Sequence, residues 1–288
     1  MTLMLNGKLK QAVEFARRAP ESRRTARLAM DCLDLTSLRG DETKGDILDL
    51  CDMAQHNRLA SVCLYPDKVA IAKSVLKESP VVIATVINFP YGDRRTLSEE
   101  RATPETIKCD VSAAIKDGAR QIDIVLPYES FLAGDTLSSL QFLRSCKKAW
   151  SPGVTLKVIF ETAAFESHPD DRTDDLRRAC RLAISEGVNC LKTSTGKNPA
   201  GGATLDAAAI LLDEARHATS HRVGVKIAGG VKNNKDCAQY IMLAEAFRRE
   251  GKPLGPEIFR IGGSSVLDNL LAALGSRKSL PSYEHNRN

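Results

Sequence analysis

Thr155-Leu-Lys-Val-Ile-Phe-Glu-Thr162 alternates Leu156, Val158 and Phe160 with a set that contains Lys157 and Glu161. Successive side chains of a strand point to opposite faces, so one face here is apolar and the other carries two opposite charges. The same division recurs in Gln121-Ile-Asp-Ile-Val-Leu126, Val188-Asn-Cys-Leu-Lys-Thr193 and Arg222-Val-Gly-Val-Lys-Ile-Ala228. With Cys32–Thr36, Ser61–Tyr65, Val81–Asn88 and Glu257–Ile261, the chain holds eight candidate strands. Helical signals separate them. Pro66-Asp67 opens a helix over Lys68–Glu78, Thr103-Pro104-Glu105 opens one to Lys116, and another runs from Asp170 to Glu186, with glycine turns at Gly118 and Gly187. Eight such units in about 250 residues predict an α/β fold, a (β/α)8 TIM barrel. An open doubly wound sheet also alternates strands with helices, but strands covered on both faces read as continuous aliphatic runs. Here charge recurs at one depth in several strands.

The alternation directs Leu33, Leu35, Ile122, Ile124, Leu126, Leu191, Val223, Val225 and Ile227 outward with the apolar set of residues 155–162. It directs Asp34, Asp123, Lys157, Glu161, Lys192 and Lys226 inward. Unpaired charges in an enclosed space cost several kcal/mol each, so three carboxylates and three ammonium groups are expected to pair. Lys192, Lys226 and Asp123 are expected late in their strands, near the C-terminal rim where barrel sites lie.

The 288 residues are 43% hydrophobic and 27% charged, which excludes a disordered or fibrous chain. The net charge of +5 suggests an anionic macromolecular partner, but its distribution argues otherwise. Residues 1–30 hold seven of the 41 Lys and Arg and two of the 36 Asp and Glu, so the rest of the chain is balanced. Phe15 is the one aromatic residue of that basic stretch, too few for base stacking, and Glu14 and Glu21 interrupt what a transit peptide would keep free of acid. Residues 1–29 are therefore read as a basic helical N-terminal extension lying on the domain, with no nucleic-acid partner. The longest aliphatic runs, such as Ala207 to Leu212, fall far short of a membrane span. Cysteines 32, 51, 63, 109, 146, 180, 190 and 237 include no Cys-x-x-Cys pair and read as reduced, cytosolic thiols. His217 and His221 have the spacing of a helical metal pair but no third ligand or neighbouring acid, and are expected to be surface histidines, with no metal site.

Three glycine-containing segments follow strand ends: Lys192-Thr-Ser-Thr-Gly-Lys197, Gly229-Gly230-Val231-Lys232 and Gly262-Gly263-Ser264-Ser265. Loops after the seventh and eighth strands of a barrel, with a helix N-terminus, form a recurrent phosphate site. Jointly they point to a phosphorylated ligand held by Gly196, Lys197, Gly229, Gly230, Val231, Lys232, Gly262, Ser264 and Ser265. Tight turns alone would also select glycine. Lys192 and Lys226 fall on adjacent strands. A buried lysine beside a second ammonium loses its proton more readily, and its neutral amine can add to a carbonyl as a Schiff base. Asp123 is placed to move a proton.

These segments resemble the deoxyribose-phosphate aldolases, class I aldolases built on a (β/α)8 barrel. The likeness runs from about Met30 to Leu274, through Leu33-Asp-Leu-Thr-Ser-Leu38, Val62-Cys-Leu-Tyr-Pro66, Asn88-Phe-Pro-Tyr-Gly92, Ile122-Asp-Ile-Val-Leu-Pro-Tyr128, Lys157-Val-Ile-Phe-Glu-Thr162, Leu191-Lys-Thr-Ser-Thr-Gly-Lys197, Val225-Lys-Ile-Ala-Gly-Gly-Val231 and Phe259-Arg-Ile-Gly-Gly-Ser-Ser265. The resemblance implies that Lys192 forms the Schiff base, Lys226 lowers its pKa, Asp123 transfers protons and Asp34 belongs to a supporting polar network. It implies a sugar phosphate, 2-deoxyribose 5-phosphate, cleaved to glyceraldehyde 3-phosphate and acetaldehyde with no metal or organic cofactor. An aldolase of other aldehyde specificity and a non-catalytic sugar-phosphate-binding barrel are the alternatives. Ile227 departs from the family, which often has proline or a small residue there, and is a candidate for reshaping the pocket. Tyr283, in a C-terminal tail over 276–288, is followed by five residues where the family's chain can end in a tyrosine. The catalytic barrel is placed at 30–275. Oligomeric state, a homodimer included, leaves no signal in one sequence.

Overall fold

The chain was analysed as a computed structural model that describes residues 3–93, 100, 102–168, 170–249 and 252–275. Two helices come first, α1 (Gly7–Arg17) and α2 (Arg23–Asp31). Eight β/α units follow. They comprise β1 (Leu33–Thr36) with α3 (Lys44–His56), and β2 (Ser61–Leu64) with a single 3-10 turn (Pro66–Lys68) and α4 (Val69–Val75). Next are β3 (Val82–Ile87) with α5 (Pro104–Asp117), and β4 (Gln121–Val125) with α6 (Tyr128–Leu132) and α7 (Thr136–Ala149). The second half holds β5 (Thr155–Ile159) with α8 (Thr162–Glu166) and α9 (Thr173–Ser185), and β6 (Cys190–Lys192) with α10 (Leu205–His217). The last units are β7 (Gly224–Ala228) with α11 (Asn234–Ala246), and β8 (Phe259–Gly263) with α12 (Val266–Leu274). All eight strands pair in parallel with their sequence neighbours, and β8 closes on β1.

Local sequence sets these boundaries. Thr103 accepts a hydrogen bond from the Thr106 N–H, and Pro104 occupies the first helical position of α5, where a missing N–H costs nothing. Thr43 with Asp46 and Asn233 with Asp236 form reciprocal caps at the starts of α3 and α11. Gly118 ends α5 with a φ of 125° that a residue with a Cβ would resist. The outward strand residues are buried between sheet and helices as the alternation predicts; Leu33, Ile122, Ile124, Leu191 and Ile227 are wholly inaccessible. Val223 is buried just ahead of β7 rather than in it.

The basic extension is two helices packed on the barrel. Leu9, Val13 and Ala16 form the buried stripe of α1, which packs on α10 and α11, while α2 packs on α11 and α12. This docking explains the aliphatic run Ala207 to Leu212. An outer barrel helix normally keeps a wet face, yet all six of those residues in α10 are buried. Polar ties reinforce the contact: the Gln239 side chain donates to the Arg17 carbonyl at 3.0 Å, Asn234 donates to Glu21 at 3.1 Å, and Arg17 meets Asp206 at 3.4 Å. α2 runs across residues 29 and 30 and reaches β1 through Cys32, and both extension helices contribute to the same continuous apolar core as the barrel. The tail 276–288, with Tyr283, lies outside the described residues.

α10 stops at His217, so His217 and His221 do not share a helix face. The His217 ring meets the Asp213 carbonyl and the His221 ring meets the Val188 carbonyl. No helix among the described residues is long and apolar enough to cross a membrane.

Leu9 is 2% exposed, and Leu9→Ala removes its side chain from the α1 seam. The cavity left behind is expected to cost about 3 kcal/mol. Urea unfolding checks this, with an unchanged midpoint showing that the extension contributes nothing to stability.

Candidate active site

The inward set meets inside the barrel. Asp123, third residue of β4, lies level with Lys157 on β5 and accepts from the Lys157 ammonium through Oδ1 at 2.7 Å. Its other oxygen, Oδ2, accepts from Lys192 and from Lys226, each at 2.8 Å. Lys192 and Lys226 are register partners on β6 and β7. Lys226 also pairs with Asp34 of β1 at 2.6 Å, and the second Asp34 oxygen accepts from Arg260 of β8 at 2.7 Å. Asp34, Asp123 and Lys226 are inaccessible to solvent, whereas Lys192 is 3% exposed and is the member that lines the open cavity.

Three expectations change. Only Lys192 ends its strand; Asp123 and Lys226 sit at mid-strand, so the network fills the middle of the barrel and presents one amine to the rim. The charges are not balanced, because Arg260 adds a fourth buried cation to Lys157, Lys192 and Lys226 against Asp34, Asp123 and Glu161. Arg260 was legible, since it lies between the outward Phe259 and Ile261 and must face inward by the same alternation. Glu161 is not in β5, which ends at Ile159. It adopts a left-handed conformation with φ 55°, a strained choice for a residue with a Cβ. That turn brings its carboxylate to the backbone N–H and hydroxyl of Thr195, and so ties the end of β5 to the loop after β6.

The two facing lysines are driven apart electrostatically. Burial pulls the Lys226 ammonium toward deprotonation, but two carboxylates, Asp123 and Asp34, outweigh it and hold its pKa above the usual lysine range. Burial lowers the pKa of Lys192 too, and here the single shared Asp123 does not compensate, while the Lys226 charge pushes the same way as burial. Burial acts to raise the Asp123 carboxyl, but Lys157, Lys192 and Lys226 overcome it and keep the group well below the ordinary carboxylate range. The site thus holds a fixed anion, a fixed cation and one amine that gives up its proton readily.

Above Lys192 opens a cavity of about 670 Å³. All nine residues expected to bind phosphate line it: Gly196 and Lys197 after β6, Gly229, Gly230, Val231 and Lys232 after β7, and Gly262, Ser264 and Ser265 at the end of β8. Two backbone donors are already engaged, since the Lys197 N–H meets Thr195 and the Lys232 N–H meets Asp236. Those two lysines therefore offer their exposed ammonium groups. Thr36 at the end of β1, Ser37 and Arg39 from the loop that follows, and Asp46 and Asp49 of α3 form the opposite wall. The sequence alone did not single out that wall, most of whose residues lie on a loop and a helix without strand alternation to mark them. Ile227 does not line the cavity; it is buried on the outer face of β7, so its departure from the family is felt by the helices.

The glycines serve both turning and close approach: Gly229 and Gly230 take φ of 87° and 89°, and Gly230 has open space around it. Gly262 lies within β8 rather than after it, and a Cβ there would stand 3.0 Å from Cε of Lys226. The loops after β6 and β7 touch backbone to backbone: the Ala203 N–H donates to the Gly229 carbonyl at 2.8 Å, and a Cβ on Gly202 would overlap that carbonyl, 2.6 Å from its carbon.

A family described as DeoC/LacD family aldolase matches residues 28–266. A deoxyribose-phosphate aldolase of Agrobacterium fabrum is 39% identical over 255 residues, covering 88% of this chain and 92% of that relative. Among solved structures, one from Toxoplasma gondii ME49 superposes with a TM-score of 0.74 at 23% identity, covering 90% of this chain and 98% of its own. The deoxyribose phosphate aldolase of Aeropyrum pernix, described as tetrameric, superposes with a TM-score of 0.68 at 21% identity, covering 92% and 96%. At those identities the two structures speak for the barrel, and the Agrobacterium relative and the family match speak for its kind. The matched span runs from within α2 to the first residue of α12 and takes in every strand and every site residue named above, and this chain belongs to the DeoC/LacD family of aldolases.

Proposed function

We propose that this aldolase cleaves 2-deoxyribose 5-phosphate reversibly to glyceraldehyde 3-phosphate and acetaldehyde through a Schiff base on Lys192. The observation that carries the reading is the unequal sharing of carboxylates. Lys226 holds two and keeps its proton, whereas Lys192 shares one, has its pKa lowered and faces the cavity. Pairs of titratable groups whose surroundings push them apart mark division of labour in a site.

In the cleavage direction the neutral Lys192 amine adds to the C1 aldehyde of the open-chain sugar, and loss of water leaves a protonated imine. The C3 hydroxyl gives up its proton as the C2–C3 bond breaks; the bond's electron pair flows into the imine to form an enamine, and glyceraldehyde 3-phosphate departs. Protonation of the enamine carbon restores the imine, and water releases acetaldehyde and Lys192. Asp123 holds Lys192 at 2.8 Å and stabilises each cationic intermediate on that nitrogen. Surrounded by ammonium groups, it is a weak base, so a proton it accepts passes on at once, through water, to the next group. Lys226 and Asp34 fix Asp123 in place. The phosphate fits the opposite part of the cavity, against Lys197, Lys232, Ser264 and Ser265, and so sets the distance from the sugar's C1 to Lys192. No step uses a metal or an organic cofactor. The chemistry suits a cytosolic catabolic enzyme acting on a small sugar phosphate.

Borohydride added with acetaldehyde is expected to leave an ethyl group on Lys192, read by peptide mass spectrometry, and retro-aldol turnover is expected to fall roughly 10^4-fold or more in Lys192→Ala. An adduct on another lysine would sink the mechanism. A panel of phosphorylated and unphosphorylated aldehydes separates this substrate from others of the same chemistry.

The amine must be neutral to attack, so kcat/KM rises with pH as Lys192 loses its proton. Lys226→Met removes the like charge that favours this loss and leaves the Asp123 Oδ2, which the two lysines share, to Lys192 alone. Both effects raise the Lys192 pKa, so the acid limb of the pH profile is expected to move to higher pH. A limb that stays in place would remove Lys226 from this role.

Gly202→Ala drives a methyl group into the Gly229 carbonyl and separates the loops after β6 and β7. KM for the phosphorylated sugar is expected to rise about tenfold, ~1.4 kcal/mol, with kcat little changed. Steady-state kinetics with and without the substrate phosphate group test it; an equal loss for both substrates contradicts phosphate binding there.

A further inference from the structure

The barrel has a second polar cavity, of about 230 Å³, at the end opposite the rim. Its walls include Gln121, the first residue of β4, Asn189 and Arg222 just ahead of β6 and β7, and Glu257 ahead of β8. Lys157 and Arg260 belong to it too, so the floor of the catalytic network is also the inner end of this well.

Three observations point to a ligand. Gln121 is 5% exposed, yet its side-chain carbonyl oxygen has no hydrogen-bond partner, a costly state for a buried acceptor unless something donates to it. Lys157 and Arg260 bring two buried cations to the inner end of the well, and no buried carboxylate is among its lining residues. Asp123 and Asp34, which face them from above, are shared with Lys192 and Lys226, so this positive charge is not absorbed from above. At the mouth the exposed Arg222 adds a cation, with Glu257 the one carboxylate among the lining residues. Finally, the donors are in place: Asn189 accepts from the Leu156 N–H through its oxygen, which leaves its amide nitrogen to donate.

We propose that this basal well binds a compact, protonated oxyanion of the hydrogen-phosphate type. Its charged oxygens meet the field of Lys157, Arg260 and Arg222, and its hydroxyl donates to Gln121. A halide would balance the charge but leave the Gln121 acceptor unmet, and water would meet the acceptor but leave the charge. The well is separate from the phosphate loops, which lie at the other end of the strands. Its occupant touches the reacting amine only through Lys157 and Asp123.

Crystals of the full chain soaked in arsenate, an anomalous scatterer with the shape and protonation of phosphate, test this. Wild type is expected to show an arsenic peak in the well, independent of any peak at Gly229 and Gly230. At subsaturating arsenate, Arg222→Met, a change to an exposed side chain, is expected to lower the basal peak severalfold, and Gln121→Met to do the same by removing the acceptor. A well that holds only water in wild type overturns the proposal, as does a basal peak of equal height in wild type and Arg222→Met.

Discussion

One carboxylate, Asp123, holds three ammonium groups in the middle of the barrel, and the rest of the site is arranged around the cost of keeping it there. A buried charge without partners costs several kcal/mol, and a buried pair broken on one side is strongly destabilising. Asp123 therefore needs cations, and three strands supply them: Lys157 from β5, Lys192 from β6 and Lys226 from β7. The asymmetry follows from counting partners. Lys226 has a second carboxylate in Asp34, which is itself anchored by Arg260, so its charge is secured from the β1 side of the barrel. Lys192 lacks any such second anchor and is the one whose ammonium form is disfavoured. An amine that gives up its proton more readily than its neighbour arises here from the unequal distribution of two aspartates among the buried cations.

Strand alternation makes much of this readable in the sequence. Residues 155–162, 121–126, 188–193 and 222–228 each display an outward apolar set and an inward charged one, and the observed register puts Asp123 level with Lys157, and Lys192 level with Lys226. The same rule would have added Arg260 and Gly262, but in a strand as short as Phe259–Gly263 the alternation rests on two apolar residues and is easily passed over. Other features left no such trace. Glu161 turns into a left-handed conformation after β5 ends, a choice made by its tertiary partner Thr195 rather than by local propensity. Arg39, Asp46 and Asp49 reach the cavity because α3 returns along the barrel wall, which only the closed topology determines. Ile227 shows the converse: a departure from the family beside Lys226 faces the other way, because neighbours along a strand do not share a face.

The N-terminal helices bear on the site more directly than their composition suggested. Their positive charge stays at the surface, while Leu9, Val13 and Ala16 cover α10 and α11, the two helices that start from the loops after β6 and β7. Those loops touch through Gly202 and Gly229, where any side chain would force them apart, so their spacing is fixed by backbone contact. A loop held by backbone contact is only as steady as the helices that carry it. Asn234 at the start of α11 donates to Glu21, Asp206 at the start of α10 meets Arg17, and both ties fall in the first turn after the loops, where a shift of the helix would be felt first. The extension is packed as part of the structure: removing it would strip α10 and α11 of a helix that each touches and release the two helix starts together. Lys197 and Lys232 stand on those same two loops, so the placement of the cationic rim relative to Lys192 depends on packing at the outer surface of the barrel as well as on the charges buried within it.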